Sequence, residues 1–428
     1  MALDHEEMKR RRARKEKQRR EQLVRQRKLM LRLAAAAVVL LVCGGLIAVV
    51  AWLAPGGTED QVQTTPSTEA PEETVPAVTE PTTVIHIAAA GDLTVTDRTV
   101  AAGADDNGGY DYTAAFMDVL PLLAEADLTV MNFEGNLCGS PYGTATSSAP
   151  QAMLEALSAA GVDLLQMANS YSINNGLIGL SDTLSSIRAA GMEPLGAYAS
   201  SAEFKKSGGY TIREVNGVRI AFVAFTKGMG NLGLPAGSGD CVNLLYTDYD
   251  TSYSKVDTSG ITSILRAAAK EEPDITIAML HWGSEYNDQI SSTQKKILNL
   301  MLSEGVDVVL GTHSHYVQEM VFDADKNTFV AYSLGDFFGD AEKAGSNYSV
   351  VLDLEITRDN NTGVTKITDY TYTPIFTQDR AEGLRVVRLL PAIAAYERGN
   401  IDHVSEEDYD DMVYAVTRVE ERIHPNAE

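Results

Sequence analysis

One stretch of the chain alternates neither like a strand nor like an amphipathic helix. Residues 33–54, LAAAAVVLLVCGGLIAVVAWLA, are 22 consecutive uncharged and mostly apolar positions. A helix of that length spans the ~30 Å hydrocarbon core of a bilayer. Trp52 stands near one end, where an interfacial indole is expected. Ahead of it lie Lys9, Arg10, Arg11, Arg12, Arg14, Lys15, Lys17, Arg19 and Arg20. Under the positive-inside rule this arm stays cytoplasmic and everything beyond residue 54 lies outside. A cleaved signal peptide usually has a shorter apolar core and leader. Lipidation at Cys43 is opposed by Val42, since a bacterial lipobox needs a small residue there. A buried globular helix seldom carries so long an uncharged run. The expectation is a single transmembrane helix, with a basic arm (1–32) that fixes topology and touches anionic lipid rather than nucleic acid.

Residues 55–82 lose all apolar periodicity. They are rich in Thr, Pro and Glu and cannot bury a core. Prolines and like charges favour an extended stalk, on the order of 85 Å if fully stretched.

From residue 83 the pattern turns regular. VIHIAAAGD reads as a buried strand that ends in a Gly-Asp loop, and 112–126 has helical spacing. LTVMNF (128–133) and VDLLQMAN (162–169) read as strands around a helix at 149–160. Residues 177–190 form an amphipathic helix stopped by Gly191. YTIREVNGVRIAFVAF (210–225) is a hairpin turning at Asn216-Gly217. DITIAMLHWG (274–283) reads as a strand ending in polar residues, and VDVVLGTHSH (306–315) and TFVAYSLGDF (328–337) each as a strand and loop, with a helix at 291–303. An antiparallel pair follows at 348–375, and from Ala381 the pattern becomes helical and acidic. Alternating strands and helices imply an α/β architecture with a largely parallel sheet. The predicted organisation is arm 1–32, membrane helix 33–54, stalk 55–82, catalytic-type domain 83–376 and acidic helical extension 377–428.

Charge sharpens this division. The chain carries −24 overall and the arm +8, which leaves −32 for the part beyond the membrane segment. A domain so acidic repels nucleic acid and, over the ~8–10 Å Debye range, any polyanion. Outside the arm, Lys205-Lys206 and Lys295-Lys296 are isolated pairs rather than a basic track. An anionic ligand would need a local basic group or a bridging cation.

In α/β sheets, ligands bind beyond the carboxyl ends of strands. Polar groups recur there: Gly91-Asp92, Asn132-Phe133-Glu134, Asn169-Ser170-Tyr171, His281-Trp282-Gly283 with Glu285, Gly311-Thr312-His313-Ser314-His315, and Ser333-Leu334-Gly335-Asp336. Only seven histidines exist, and three stand at two of these ends. His313 and His315 flank Ser314, and in a loop they can converge on one centre. Taken singly, Asp92 reads as a turn residue, Asn169 as a cap and His281 as a core histidine. Together, His, Asp, Glu and Asn suit a divalent cation such as Mn, Fe or Zn.

The order GD (91–92), NFEG (132–135), AN (168–169), HWGSEY (281–286), GVDVVLGTHSHYVQ (305–318) and YSLGDF (332–337) resembles the CapA family. These are capsule or poly-γ-glutamate synthesis proteins related to calcineurin-like metallophosphoesterases. The resemblance runs from Ile85 to Phe338. It implies a β-sandwich flanked by helices, placed outside a bacterial cell membrane. It further implies a part in making, exporting or anchoring an anionic polymer, with polymer-synthase subunits or a cell-wall glycan as partners. Position by position it gives Asp92, Glu134, Asn169, His281, His313 and His315 as metal ligands, with Glu134 bridging. Tyr171 falls at the proton-donor position, and Tyr171 and Glu285 are the candidate catalytic residues. The chain departs from the pattern at Thr94, where phosphoesterase relatives have His. It departs again at Tyr171, where the family has the His of A-N-N-H, at Asn174, commonly Asp, and at Asp336, commonly Asn. Three functions remain open: a metal-dependent hydrolase or transferase of the envelope, a non-catalytic binding, assembly or anchoring factor for an anionic surface polymer, or a surface protein of this fold whose ligand is a wall glycan. Cys138 and Cys241 are the cysteines beyond the membrane segment, and an oxidising exterior permits a bridge between them.

Overall fold

Two sheets face each other across one hydrophobic core. In the computed structural model the described residues are 81–341, 343–380, 383–400 and 404–425. The arm, the apolar run at 33–54 and nearly all of the stalk lie outside them. Among the described residues no helix is long and apolar enough to cross a membrane.

The chain opens with β1 (Thr82–Thr94), then short helices α1 (Asp97–Ala101), α2 (Thr113–Phe116) and α3 (Leu120–Ala124). Helical spacing at 112–126 therefore yields two helices rather than one, with Pro121 in the first turn of the second. Next come β2 (Leu128–Glu134), α4 (Gln151–Ala159), β3 (Leu164–Gln166), α5 (Gly176–Ala189) and β4 (Glu193–Leu195). The second half holds α6 (Ser201–Ser207), β5 (Thr211–Val215), β6 (Val218–Thr226), α7 (Thr258–Ala269), β7 (Ile275–His281), α8 (Ser292–Ser303) and β8 (Val308–Thr312). It continues through β9 (Met320–Asp323), β10 (Thr328–Ala331), β11 (Asp336–Phe338), β12 (Tyr348–Asp359), β13 (Thr365–Arg380) and β14 (Gly383–Arg388). Helices α9 (Leu389–Glu397) and α10 (Glu406–Ile423) close it.

One sheet has the order β14-β13-β12-β1-β2-β3-β4, with β11 on β1; the other is β5-β6-β7-β8-β10-β9. The β1–β4 and β6–β7–β8–β10 runs are parallel, and antiparallel strands extend both sheets. The arrangement is a mixed α/β sandwich.

Strand periodicity explains the layers. Ile220, Phe222 and Ala224 of β6 face the core shared with the first sheet, as do Ile277 and Met279 of β7. The intervening Ala221, Val223, Phe225, Ala278 and Leu280 face a second cluster under Ile261 and Leu265 of α7 and Ile297 and Met301 of α8. Both faces are covered, so β7 and β8 read as continuous apolar runs. The hairpin turn has positive φ at Asn216 (49°) and Gly217 (82°), as a type I′ turn requires.

Four expectations need correction. β1 does not end at Gly91-Asp92 but continues to Thr94 through an irregular pairing with β2. TFVAYSLGDF is not one strand: β10 belongs to the second sheet, and the chain then crosses over so that β11 pairs with β1 in the first. Alternating apolar residues continue through the crossover, so periodicity alone cannot show the change of sheet. The region after Ala381 is not wholly helical, because β14 pairs with β13 before α9 begins. Finally, Cys138 and Cys241 are both free, the first exposed and the second buried. Cys138 sits over Gly179 of α5, whereas Cys241 is part of the core.

Candidate metal centre

The crossover brings the carboxyl ends of both sheets to one place. Asp92 stands opposite Asn132 and Asp336, and Thr94 opposite Glu134. Asn132 and Glu134 are two apart on β2 and so share a face. From the second sheet, His281 ends β7 between Thr226 and Thr312. Closure of the two ends needs glycine. A Cβ on Gly91 would lie 1.8 Å from the Gly335 carbonyl oxygen, and Asp92 N–H donates to that oxygen at 2.9 Å. The loop after β8 is bent by positive φ at His313 (84°) and His315 (57°). Such strain in non-glycine residues persists only where the surroundings enforce it. Here His313 N–H donates to Asp92 Oδ2 at 3.0 Å, and Tyr286 stacks on His315 with ring centroids 5.0 Å apart. The bent loop leaves the two rings with centroids 6.3 Å apart, each beside a different set of carboxylate and imidazole donors.

Two sets of donor atoms result. In Glu134, His281 and His313 one donor atom from each lies within 4.8 Å of the others, and the same holds for Asp92, His315 and Asp336. His281 Nε2 is 2.7 Å from Glu134 Oε1. His281 Nδ1 is 3.1 Å from Thr226 Oγ1, and that hydroxyl also reaches the Gly228 carbonyl at 3.0 Å. A carbonyl only accepts, so the hydroxyl hydrogen goes to Gly228, and the bonding pattern assigns the His281 hydrogen to Nδ1. Nε2 then turns a lone pair toward a carboxylate oxygen, an arrangement that requires a proton or a cation between them. The rings of His281 and His313 approach to 4.3 Å, and His313 Nδ1 is buried with no hydrogen-bond partner. A buried polar nitrogen without a partner costs ~1–3 kcal/mol. His315 Nδ1 is 2.7 Å from Asp336 Oδ1 and 3.8 Å from Asp92 Oδ2. Asn132 Nδ2 ties the sets together, donating to Asp92 Oδ1 (2.6 Å) and Glu134 Oε1 (3.2 Å).

All six titratable groups are at most 6% exposed. Burial, then the Glu134 charge, pushes Asp92 up to about 7. Burial also raises Glu134 and Asp336. It presses His281 down to about 3 and holds His313 well below its ordinary value. Both therefore stay neutral, the form that ligates metals. Burial pulls at His315 too, but Asp336, Glu134 and Asp92 outweigh it and hold that imidazole well above its ordinary value. Three carboxylates without water demand positive charge, and the donor set fits a divalent cation.

Around this buried set lie half-exposed and exposed groups. Lys227 donates to the Gly283 carbonyl at 2.8 Å and covers the Tyr253 ring at 4.8 Å. Burial lowers its pKa, while Glu285 opposes this. Lys343 stands 5.8 Å from the centroid of Tyr286. Tyr171 is raised by burial, then by Glu134 and Glu285, so its hydroxyl stays protonated. Glu285 itself is exposed.

Of the residues singled out in the sequence, Asp92, Glu134, His281, His313 and His315 converge. Asn169 lies beside them but is engaged: Nδ2 donates to Asn132 Oδ1 (3.0 Å) and the Phe133 carbonyl (2.7 Å), while Oδ1 accepts from Tyr171 N–H (3.0 Å). It braces the turn that carries Tyr171. The sequence marks Asn132 at a strand end without giving it a role, and Thr226 and Lys227 carry no mark at all. The two-residue spacing of Asn132 and Glu134 on a strand was the available signal for the first. The other two sit at the end of β6, which shows no polar motif.

A family model described as bacterial capsule synthesis protein PGA_cap matches residues 86–341. The capsule biosynthesis protein CapA of Bacillus anthracis is 27% identical over 265 residues, 60% of each chain. The PGA biosynthesis protein CapA of Bacillus subtilis is 27% identical over 205 residues, covering 48% of this chain and 50% of that one. The chain thus spans about half to three-fifths of the length of these relatives. Among solved structures, a putative 5′-nucleotidase from Staphylococcus aureus superposes with TM-score 0.45 at 13% identity, over 78% of this chain and 58% of that one. A calcineurin-like phosphoesterase from Bacillus subtilis gives 0.42 at 14%, over 79% and 98%.

Proposed function

The chain belongs to the bacterial capsule synthesis protein family, and from that premise we propose that it is a membrane-anchored envelope protein acting on an anionic group of a surface polymer through a divalent-cation centre. In this reading 33–54 is the anchor, 1–32 the cytoplasmic arm and 55–82 the stalk that holds the folded part outside. The polymer is of the poly-γ-glutamate or capsule class, and synthase subunits are the natural protein partners. The observation that carries the metal reading is the convergence of Glu134, His281 and His313 with Asp92 and His315, all buried, around an unpartnered His313 Nδ1.

A bound divalent cation supplies Lewis acidity and lowers the pKa of water. The chain's own groups divide the remaining work. Neutral His281 and His313 present lone pairs, and Asn132 fixes the spacing of Asp92 and Glu134. Lys227 attracts the carboxylate or phosphate of the ligand in an otherwise acidic domain. Tyr171 donates a hydrogen bond, or a proton, to a leaving oxygen, and the charge of exposed Glu285 helps keep the Tyr171 hydroxyl protonated. A second reading, binding without turnover, is favoured by Tyr171: a phenol raised above its ordinary pKa is a poor proton exchanger at neutral pH.

The test uses the full chain in detergent, dialysed with and without chelator. Hydrolysis of a phosphodiester surrogate and of a γ-glutamyl peptide is measured together with binding of poly-γ-glutamate. Metal-dependent cleavage supports the hydrolase; metal-dependent binding alone supports the second reading. Binding and turnover indifferent to chelator would sink both.

A further inference from the structure

The phosphoesterase pattern gives its second cation a histidine two residues after the first aspartate, and this chain has Thr94 there. Thr94 Oγ1 instead donates to Glu134 Oε2 at 3.2 Å. One donor is missing, and the fold brings a further carboxylate to Asp92 and His315. The crossover from β10 to β11 sets Asp336 opposite Asp92. It places Asp336 Oδ1 2.7 Å from His315 Nδ1, with Asp92 Oδ2 3.8 Å away from the same nitrogen.

We propose that Asp336 is a direct ligand that replaces the missing histidine, so that Asp92, His315 and Asp336 form a second cation position beside the Glu134–His281–His313 set. The inference rests on the metal-centre reading above and extends it. With a cation ~2.1 Å from each donor, the 2.7 Å spacing subtends about 80°, close to that of neighbouring donors in an octahedral shell. The two positions are unlike. Two imidazoles and one carboxylate make the first a borderline site; two carboxylates and one imidazole make the second a harder one, suited to Mn2+. The unpartnered His313 Nδ1 opens to the first set, and Asn132 bonds to a carboxylate of each. Asp336 is buried at 6% exposure, with His315 Nδ1 as its neighbour at 2.7 Å. The remaining explanation for its position is that it only orients His315 through Nδ1.

Asparagine separates the two roles. Asp336→Asn keeps an oxygen that accepts from His315 Nδ1–H but removes the charge and the carboxylate ligand. Mn2+ is titrated into the full-length chain, with bound and free ion counted by electron paramagnetic resonance. The wild type should bind two equivalents, and Asp336→Asn should weaken the second by a hundredfold or more while leaving the first within threefold. A smaller loss is the size expected of an outer carboxylate that merely orients a ligand, and would overturn the assignment. A wild type that binds one equivalent would also overturn it and leave the function proposed above intact; one that binds none would overturn both. Should Asp336→Asn fail to fold, the wild type alone decides, because two Mn2+ about 3.5–4 Å apart give an exchange-coupled spectrum and isolated ions do not.

Discussion

Gly91 is where β1 meets the crossover that leads into β11, and an alanine there should disturb stability and metal site at once. Its Cβ would sit 1.8 Å from the Gly335 carbonyl oxygen and 2.9 Å from the carbonyl carbon. Both neighbours are backbone, so no side chain can swing aside. β1 and β11 would have to part by at least ~1.2 Å, which overpacking data put at about 1–3 kcal/mol. The Asp92 N–H bond to Gly335, now 2.9 Å, would break and remove about 0.5–1.5 kcal/mol more. The expected cost of Gly91→Ala is therefore ~2–4 kcal/mol, read from thermal or urea unfolding. The same shift separates Asp336 from Asp92, its partner across β1 and β11, so cation affinity should fall as well. Gly239→Ala is the control: nothing lies within 4 Å of its Cβ, and the change should stay within ~0.5 kcal/mol. Gly91→Ala with wild-type stability and wild-type metal affinity would refute the close approach.

Other outcomes follow from single contacts. Thr226→Val removes the partner of His281 Nδ1 and should lower cation affinity about 10–100-fold by titration calorimetry, with a stability loss of ~1–3 kcal/mol from the buried nitrogen left unpaired. Lys227→Met should weaken an anionic ligand at least tenfold and leave metal content unchanged; unaltered ligand affinity would remove Lys227 from recognition. Burial raises Asp307 to about 6 against the Thr276 N–H bond that lowers it. Because its folded pKa exceeds the unfolded one, the native state binds the proton more tightly, and stability should fall as pH rises from about 4 to 6. The loss is at most ~3 kcal/mol, and Asp307→Asn should flatten that part of the pH profile. Thiol labelling followed by peptide mapping should find Cys138 modified in the native protein and Cys241 only after denaturation; a bridged peptide would contradict the geometry.

Much of this protein was legible before any coordinates. Continuous apolar runs marked β2, β7 and β8 because both their faces are covered, and the Asn216-Gly217 turn fixed its own hairpin. The histidines and carboxylates were visible as polar groups at strand ends. What period-2 patterning could not carry was the change of sheet at Gly335, since Phe337 and Phe338 are as apolar as the residues of β10. That crossover is what brings Asp336 to Asp92. Nor could the sequence show that Asn169 spends its amide on Asn132, Phe133 and Tyr171, or that an unremarkable Thr226 holds His281. These facts live in contacts between segments far apart along the chain.

The most direct test is the metal content of the full-length chain, purified without chelator, by elemental mass spectrometry beside His313→Ala. Near-stoichiometric Mn, Fe or Zn in the wild type, lost in a variant whose circular dichroism is unchanged, is the predicted result. A folded wild type that holds none of these, and takes up none after incubation with each, would contradict the account.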